Sequence, residues 1–313
     1  MMRLMNFAKK LFALFLCLSL LPLLSAPARA QQAIPKVVLN DESILPESSQ
    51  DGFALYVMPL LGADCMLLSV NGQWMLVDMG KKNDFPVIKA VLDRLEVKKV
   101  DIAFNTHPHS DHIGSMALLA QEVEVGRFFT VYPEDFSGDS ILQRSTMKHL
   151  KAAGIPVETM MDGSRFSLGE AQFIVMKTDH RNVNGSSAML HVQFGETSFL
   201  LAADVNRSAQ NRLAVKYGEQ LKADVLKYPH HGQEKLDQGF MEAVSPEFAL
   251  ITHGSLNTME AQKWLDSYEV PFLFASWGVI TAFSDGQIIT LYQEMTEESL
   301  GFKERWEKNR QQK

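Results

Sequence analysis

The sequence has 313 residues, of which 46% are hydrophobic and 21% charged, with a formal net charge of −7 at pH 7. This length is enough for one large α/β domain with a substantial core. The acidic balance excludes a general attraction to nucleic acid or to anionic membranes, so either partner would require a local basic groove.

The first thirty residues have the three parts of a secretory signal peptide. Residues 1–10 carry three basic side chains, residues 11–24 are apolar or small, and residues 28–30 (Ala-Arg-Ala) provide a small-x-small cleavage pattern. The apolar run is too short for a comfortable membrane span, although an uncleaved N-terminal anchor is the alternative. Cleavage after residue 30 would remove four basic and no acidic side chains, which lowers the net charge to −11. We therefore expect a secreted protein, periplasmic or extracellular, with no remaining membrane span.

Residues 31–51 are polar and irregular, and they predict a linker or N-terminal arm. From residue 52 onward the chain contains short apolar runs bounded by Gly, Asp, Asn or Pro, a pattern typical of strands. These runs lie at residues 53–58, 66–70, 74–77, 100–104, 128–131, 173–176, 188–194, 198–203, 225–228, 248–252, 272–274 and 288–292.

Helical spacing of apolar residues occurs between some of these runs. The predicted helices lie at residues 85–95, 141–153, 207–217 and 259–268. Strands clustered early, followed by strands mixed with helices, favour an αβ sandwich over a strictly alternating parallel sheet. We predict one domain over residues 52–293, followed by a charged C-terminal helix or tail over residues 294–313.

Three histidines and an aspartate are concentrated in the segment FNTHPHSDHIGS, residues 104–115. Alternate side chains of an extended segment share a side, so His107 and His109 can converge on one cation. Asp111 and His112 lie where the chain turns into a helix, and they can point to a second position. Imidazole and carboxylate together suit zinc, manganese or iron better than magnesium or calcium. Scattered surface histidines are the alternative, which this density and spacing disfavour.

The spacing His-x-His-x-Asp-His resembles the signature of the metallo-β-lactamase fold. That resemblance implies a four-layer αβ/βα sandwich with the metal site at one edge of its two sheets. It also implies further site residues after other strands. Asp78, in WMLVDMG, would orient the histidine-rich segment at residues 104–115. Asp204, in SFLLAADV, would bridge two metals. His230 and His231, in VLKYPHHGQ, would supply the last histidine.

The implied cofactors are two divalent ions, zinc or manganese. Their implied ligands are His107, His109 and Asp204 for the first ion, and Asp111, His112, Asp204 and either His230 or His231 for the second. The predicted catalytic residues are Asp111 and His230. The histidine of the pair that binds no metal would contact a phosphoryl oxygen or protonate a leaving group. The sequence does not decide which histidine that is.

A third histidine for the first ion is expected near the segment TDHRNVNGSS, which contains His180. The usual Gly-His-Thr context is missing there. Some subfamilies use an Asn/Ser-rich segment in place of this histidine, and NVNGSS resembles that version. His180 as a ligand and His180 as a surface loop residue therefore both stay open.

Several further segments resemble successive parts of one domain, the extracytoplasmic C-terminal domain of ComEC-type DNA-uptake (competence) proteins and their secreted stand-alone relatives. These segments include LLGADCMLLSVNGQWMLVDMG, SSAMLHVQFGETSFLLAADV and ALITHGSLN, and the resemblance spans residues 53–292. The sequence TMEAQ after Asn257 lacks the histidine-proline pair usual in that subfamily, and AADV replaces Thr-Gly-Asp. Ser187, His253 and Asn257 lie in matching segments and are the predicted substrate contacts.

The resemblance implies a secreted hydrolase in which two metals share a hydroxide and act on a phosphoester, as a phosphodiesterase or nuclease. The acidic charge does not support nucleic acid and favours a small-molecule or polymer phosphoester. A lactonase or β-lactamase is the second interpretation, although β-lactamases lack the bridging carboxylate that Asp204 provides. A non-catalytic metal-binding surface module is the third, and retention of every ligand of the second metal disfavours it. The oligomeric state is unknown.

Overall fold

The structure, a computed structural model, describes residues 35–40, 51–133 and 141–311. The predicted signal peptide and most of the predicted arm lie outside the described residues. The strands are, in chain order, β1 Val37–Leu39, β2 Phe53–Val57, β3 Met66–Val70, β4 Gln73–Val77, β5 Lys99–Asn105, β6 Glu124–Thr130, β7 Val157–Thr159, β8 Arg165–Leu168, β9 Ala171–Met176, β10 Met189–Phe194, β11 Thr197–Leu201, β12 Val225–Lys227, β13 Phe248–Ile251, β14 Phe272–Phe274, β15 Gly278–Ser284 and β16 Ile289–Met295.

The helices lie between and after these strands. In chain order the α-helices are α1 Phe85–Arg94, α2 Ser110–Ile113, α3 Met116–Glu122, α4 Ile141–Ala152, α5 Arg207–Tyr217, α6 Gln238–Val244, α7 Met259–Ser267 and α8 Glu297–Gln311. Within the described ranges, no helix is long and apolar enough to span a bilayer.

The described strands form two sheets. The nine-stranded sheet has the order β1-β16-β15-β2-β3-β4-β5-β6-β7, and the seven-stranded sheet has the order β14-β13-β12-β11-β10-β9-β8. Each sheet has a parallel part: β4 to β7 in the first, and β11 to β14 in the second. The remaining neighbours are antiparallel, except that β1 pairs in parallel with β16.

Side chains on the two faces of each strand enter different cores. In β2, for example, Phe53 and Leu55 belong to the core between the sheets, whereas Tyr56 packs with α1 on the outer face. A third core lies between the second sheet and helices α5, α6 and α7. The order is therefore helices, sheet, sheet, helices, and the predicted four-layer sandwich is confirmed. Burial of both faces explains why the strands read as continuous apolar runs.

Some elements were not predicted from the sequence. Val37–Leu39, in the segment predicted to be irregular, forms β1 at the edge of the first sheet. The short strands β7 and β8, the seven-residue strand β15 and the helix α6 were also missed. The charged C-terminal segment forms the helix α8, and Trp306 of this helix donates a hydrogen bond to Gln262 of α7 at 3.1 Å.

Candidate metal centre

The loops after several parallel strands meet at one edge of the two sheets. Asp78 follows β4, residues 106–112 follow β5, Asp204 lies three residues after β11, and residues 228–231 follow β12. The carboxyl ends of parallel strands are the usual place for ligand sites in α/β folds, because loops from several strands converge there.

Four residues in these loops have a backbone conformation that residues with a Cβ rarely adopt. The φ angle is +57° at Asp78, +44° at Ala203, +50° at His230 and +55° at His231. Asp78 N–H donates to the Phe104 carbonyl at 2.8 Å, and His230 N–H donates to the Ala203 carbonyl at 2.9 Å. Strained residues of this kind are concentrated at functional sites, where surrounding contacts must hold them.

Asp204 is shared by two groups of potential metal ligands. Its Oδ2 atom lies 3.2 Å from His112 Nε2 and 3.6 Å from His231 Nε2. The same oxygen lies 3.6 Å from Nε2 of His107, and this nitrogen is 3.1 Å from Nδ1 of His109. Within each group, the ligand atoms lie within 4.8 Å of one another. One buried carboxylate therefore contacts imidazoles from both halves of the sandwich.

Three buried polar atoms at this position have no hydrogen-bond partner in the part of the chain that the structure describes. They are His112 Nε2, His231 Nε2 and Asp204 Oδ1. Buried polar atoms are nearly always hydrogen-bonded, so a cluster of exceptions requires a physical reason. Imidazole nitrogens and carboxylate oxygens that converge are a donor set for zinc, manganese or iron. The residues present therefore fit a divalent metal ion.

Asp78 holds the His112 ring from outside this donor set. Its Oδ2 atom lies 2.7 Å from His112 Nδ1. The same oxygen accepts a hydrogen bond from the Thr106 hydroxyl at 2.7 Å, and Asp78 Oδ1 accepts from the Thr106 N–H at 2.8 Å and from the Asn105 side-chain amide at 3.0 Å. Because Nδ1 of His112 is fixed in this way, its Nε2 is directed toward Asp204.

Asp64 holds the His231 ring in the same way. Its Oδ1 atom lies 2.9 Å from His231 Nδ1 and accepts a hydrogen bond from the Thr252 hydroxyl at 2.6 Å. Its Oδ2 atom forms an ion pair with Lys227, whose side chain is fully buried. Although the Asp64 carboxylate lies in the same 4.8 Å group as His112, Asp204 and His231, protein groups engage both of its oxygens. We therefore interpret Asp64 as the residue that orients His231.

Asp64 and Lys227 were not identified from the sequence. The available signal was a charged residue inside an apolar context, in GADCML and in DVLKY. The two residues are 163 positions apart, so no local pattern indicated that they form a pair.

Mutual charge controls the ionisation of the buried groups. Burial lowers the pKa of His107 well below its ordinary value. Burial also opposes protonation of His112, but Asp204 and Asp78 outweigh it and raise the pKa of His112 well above its ordinary value. Burial opposes ionisation of Asp204, yet His112 and His231 hold its pKa well below the usual range. Asp204 is therefore ionised and requires a neighbouring positive charge, which a protonated imidazole or a divalent cation can supply.

The structure distinguishes the two adjacent histidines. The side chain of His231 is 1% exposed, and its Nε2 lies 3.3 Å from Asp111 Oδ2. The side chain of His230 is 30% exposed, and its Nε2 lies 3.7 Å from Asp204 Oδ2. Burial opposes ionisation of the partly exposed Asp111, but the neighbouring His231 and His112 outweigh burial and lower the pKa of Asp111 to about 2. His231 thus belongs to the buried donor set, and His230 lies at the rim.

His180 lies in neither group of clustered ligand atoms among the described residues. Its Nδ1 accepts a hydrogen bond from the Asn182 N–H at 3.0 Å. Its ring packs against Gly185, where an added Cβ would lie only 2.4 Å from His180 Nδ1. In this conformation the ring contacts its own loop.

Asn184 and Ser187 lie in the NVNGSS segment of the loop that contains His180, and both are close to the candidate centre. Asn184 Nδ2 lies 3.4 Å from His230 Nε2, and Asn184 Oδ1 is buried without a hydrogen-bond partner among the described residues. The Ser187 hydroxyl donates to the Asn184 carbonyl at 2.7 Å and accepts from the Asp204 N–H at 3.3 Å. Ser187 was predicted to contact substrate, but its fully buried hydroxyl instead supports the backbone of Asp204.

His253 and Asn257 lie beyond β13, beside the candidate centre. The His253 ring packs against Gly62, and burial, together with the positive charges of His231 and Lys81, lowers the pKa of His253. Asn257 is exposed on a 3₁₀ turn and lines a groove. Neither residue belongs to the two groups of potential ligands.

Comparison with known proteins gives consistent matches. Residues 58–253 match the sequence model of the metallo-β-lactamase superfamily. The chain is 27% identical over 165 residues to ComE operon protein 3 of Bacillus subtilis, which covers 51% of this chain and 21% of that protein. It is 26% identical over 167 residues to Competence protein ComA of Neisseria gonorrhoeae, which covers 53% of this chain and 22% of that protein.

The matched part of the chain spans about a fifth of the length of each curated relative. Among solved structures, the metallo-beta-lactamase fold protein YhfI from Bacillus subtilis has a TM-score of 0.52 at 13% identity, over 72% of this chain and 96% of that chain. At this identity the likeness supports the fold alone. The two curated relatives confirm the resemblance to competence proteins that the motifs indicated.

Proposed function

The chain belongs to the metallo-β-lactamase superfamily, and we propose that it is a secreted, metal-dependent hydrolase of phosphodiesters. The position of Asp204 carries this proposal. Its carboxylate is shared by two groups of potential ligands, and one of its oxygens is buried without a hydrogen-bond partner among the described residues. A carboxylate in that position can bridge two cations, and pairs of bridged cations are typical of phosphoester hydrolases.

Six side chains would hold the two ions, and one of them, Asp204, would be shared. The first ion would take His107, His109 and Asp204, and the second would take Asp111, His112, Asp204 and His231. Zinc and manganese both suit imidazole and carboxylate ligands. When bound, two such ions lower the pKa of water and neutralise the negative charge that develops on phosphoryl oxygens.

Two partly exposed side chains at the rim would transfer protons and contact the substrate. Asp111 is ionised at neutral pH, because its pKa is about 2, and its carboxylate can accept a proton from the attacking water. His230 Nε2 lies at the rim, 3.7 Å from Asp204 Oδ2. From there it can donate a hydrogen bond to a phosphoryl oxygen or a proton to the leaving group.

The sequence supports the proposals of export and of a small substrate. The signal peptide proposed for residues 1–30 would direct the chain to the periplasm or the outside of the cell. Its removal leaves a net charge of −11, which repels a long polyanion. A small phosphodiester or a headgroup on a polymer is therefore the favoured substrate. Nucleic acid is the second candidate, because one of the curated relatives is named a competence protein.

Hydrolysis of bis-p-nitrophenyl phosphate by the protein loaded with Zn²⁺ or Mn²⁺ tests this proposal. We expect turnover that falls at least about 100-fold in Asp204→Asn and in His109→Ala, because each change removes a ligand or bridge. Asp93→Asn is the matched control. It makes the same chemical change in an exposed ion pair on α1, where little effect is expected.

The same assay, extended to nitrocefin, lactones and other esters, separates the alternative functions. Faster turnover of nitrocefin or of a lactone than of the phosphodiester would replace the proposal with the lactonase or β-lactamase function. No turnover of any ester, lactam or phosphoester by the metal-loaded protein would favour a non-catalytic metal-binding module.

A further inference from the structure

A groove of about 520 Å³ lies beside the candidate metal centre. Three apolar side chains in its lining are exposed to solvent: Leu61 at 60%, Leu256 at 86% and Phe302 at 52%. Trp277 contributes a further aromatic surface, and Glu298 is the one charged residue that lines the groove. This volume is in the range of small-molecule sites.

Two short stretches of chain connect the groove to the metal centre. The Thr252 hydroxyl lies 3.1 Å from His231 Nδ1, and Gly254, two residues later, lines the groove. On the other stretch, the N–H of Gly62, next to Leu61, donates to the Thr252 carbonyl at 3.1 Å. Since consecutive Cα atoms are about 3.8 Å apart, the groove begins on the order of 10 Å from His231. This distance is within the reach of a substrate that carries a chain of several carbon atoms.

We propose that this groove binds the apolar substituent of the phosphodiester substrate while its phosphate group lies at the metal centre. This inference rests on the proposed function and names its substrate class, an amphiphilic phosphodiester with an alkyl or aryl chain. The apolar walls favour a hydrocarbon chain, because each buried methylene group strengthens binding by up to about fourfold. The carboxylate of Glu298 repels phosphate, so the charged end of the substrate is directed toward the metals.

Other occupants fit the groove less well. Among the groove-lining residues there is no basic side chain, so a nucleic-acid backbone finds no positive partner there. A second copy of this chain would need roughly 800 Å² of buried surface on each partner, so it would have to cover surface well beyond the residues that line the groove. The wall at residues 255–257 also adjoins TMEAQ, where the sequence departs from the ComEC-type pattern. This departure agrees with a substrate that differs from that of ComEC-type domains.

The length of the alkyl chain provides the test. We expect the metal-loaded protein to hydrolyse p-nitrophenyl octyl phosphate with a KM at least about tenfold below that for p-nitrophenyl methyl phosphate. Leu256→Ser and Phe302→Ser should remove most of this difference and leave the kinetics of the methyl ester unchanged. Both side chains are exposed, so neither change threatens the fold. Val215→Ser is the matched control, because Val215 is 82% exposed on α5 and does not line the groove.

The outcomes separate this inference from the proposed function. If both esters are hydrolysed with equal KM values, the inference that the groove binds the alkyl chain is wrong, and the proposed hydrolase function is retained. If neither ester is hydrolysed, the function fails, and binding of octylphosphonate is then measured by the fluorescence of Trp277, with Trp277→Phe as reference. Saturable binding that Leu256→Ser weakens would support the groove, and absence of binding would overturn it. Self-association of the wild-type protein that is lost in Leu256→Ser would also overturn the inference, because the groove would then bind a second copy of the chain.

Discussion

Asp64 Oδ1 lies 2.9 Å from Nδ1 of His231, and Thr252 and Lys227 hold this carboxylate from the other sides. On the opposite side of the donor set, Asp78 supports His112 with a contact of 2.7 Å. The two carboxylate–histidine pairs differ in one respect. Asp64 is paired with a buried ammonium group, whereas the other partners of Asp78 are neutral donors. Removal of the two carboxylates should therefore have different consequences.

Asp64→Asn should destabilise the fold strongly, because it leaves the buried ammonium group of Lys227 without its counter-charge. Loss of one partner of a buried ion pair typically costs about 3–5 kcal/mol. The change should also weaken metal binding about 10- to 100-fold, because His231 loses the group that fixes its ring. Urea unfolding and calorimetric metal titration measure the two effects.

The double variant Asp64→Asn with Lys227→Met separates stability from metal binding. Removal of both charges should restore much of the stability lost in the single variant, because no unpaired buried charge remains. Metal affinity should stay low, since the support of His231 is still missing. A double variant with wild-type affinity would show that Asp64 acts only through stability. Asp78→Asn, without a buried cation beside it, should lose less stability than Asp64→Asn.

His231→Ala and His230→Ala should have different phenotypes, because the first ring is buried in the donor set and the second lies at the rim. His231→Ala should lower both metal content and activity. His230→Ala should keep its metal and lose about 10²- to 10⁴-fold in kcat, the usual range for a lost general acid. Metal analysis of each purified variant, together with phosphodiester kinetics, checks this. Loss of metal in His230→Ala would reverse the two assignments.

Apolar runs predicted the strands of an αβ sandwich because both faces of most strands are buried, whereas the four layers were implied by the resemblance to the metallo-β-lactamase fold. Three of the missed strands, β1, β7 and β8, lack this signal, whereas β15 carries it and was nevertheless missed. In β7 all three residues are exposed, and in β8 only Leu168 is buried. The strand β1 is a three-residue edge strand whose partner, β16, lies about 250 residues away in the chain.

The metal ligands were easier to predict than the residues that support them. His107, His109, Asp111 and His112 lie within six positions, so their spacing is visible in the sequence. The contacts of Asp64 with Lys227, His231 and Thr252 join residues 163, 167 and 188 positions apart. Such pairs are created by the meeting of the two sheets, and no local periodicity encodes them.

Metal binding should become tighter as pH rises. Asp204 and Asp78, acting against burial, raise the pKa of His112 well above 6.5, so His112 is protonated at neutral pH unless a cation replaces its proton. Protonation of His112 stabilises the metal-free fold fully below pH 6.5, and this contribution is lost as pH rises through the raised pKa. A metal ligand must be a neutral imidazole, so binding releases protons.

Calorimetric titration with metal at one pH, in two buffers of different ionisation enthalpy, measures this proton release. We expect the observed enthalpy to differ between the buffers, and the difference in melting temperature between metal-loaded and chelator-treated protein to grow from about pH 6 to about pH 8. The same enthalpy in both buffers would mean that His112 is already neutral before metal binds.

His180→Ala and Asn184→Ala decide between the two interpretations of the NVNGSS loop. His180 Nδ1 accepts a hydrogen bond within its own loop, whereas Asn184 Nδ2 lies 3.4 Å from His230 Nε2. We therefore expect His180→Ala to keep both metals and to stay within about twofold of wild-type activity, as is usual for changes away from a site. Asn184→Ala should keep its metals and lower kcat, because the His230 ring loses a contact that orients it. Metal content and phosphodiester kinetics measure both variants. Loss of one metal in His180→Ala would instead make His180 the third histidine ligand of the first ion, and would require the loop to move when metal binds.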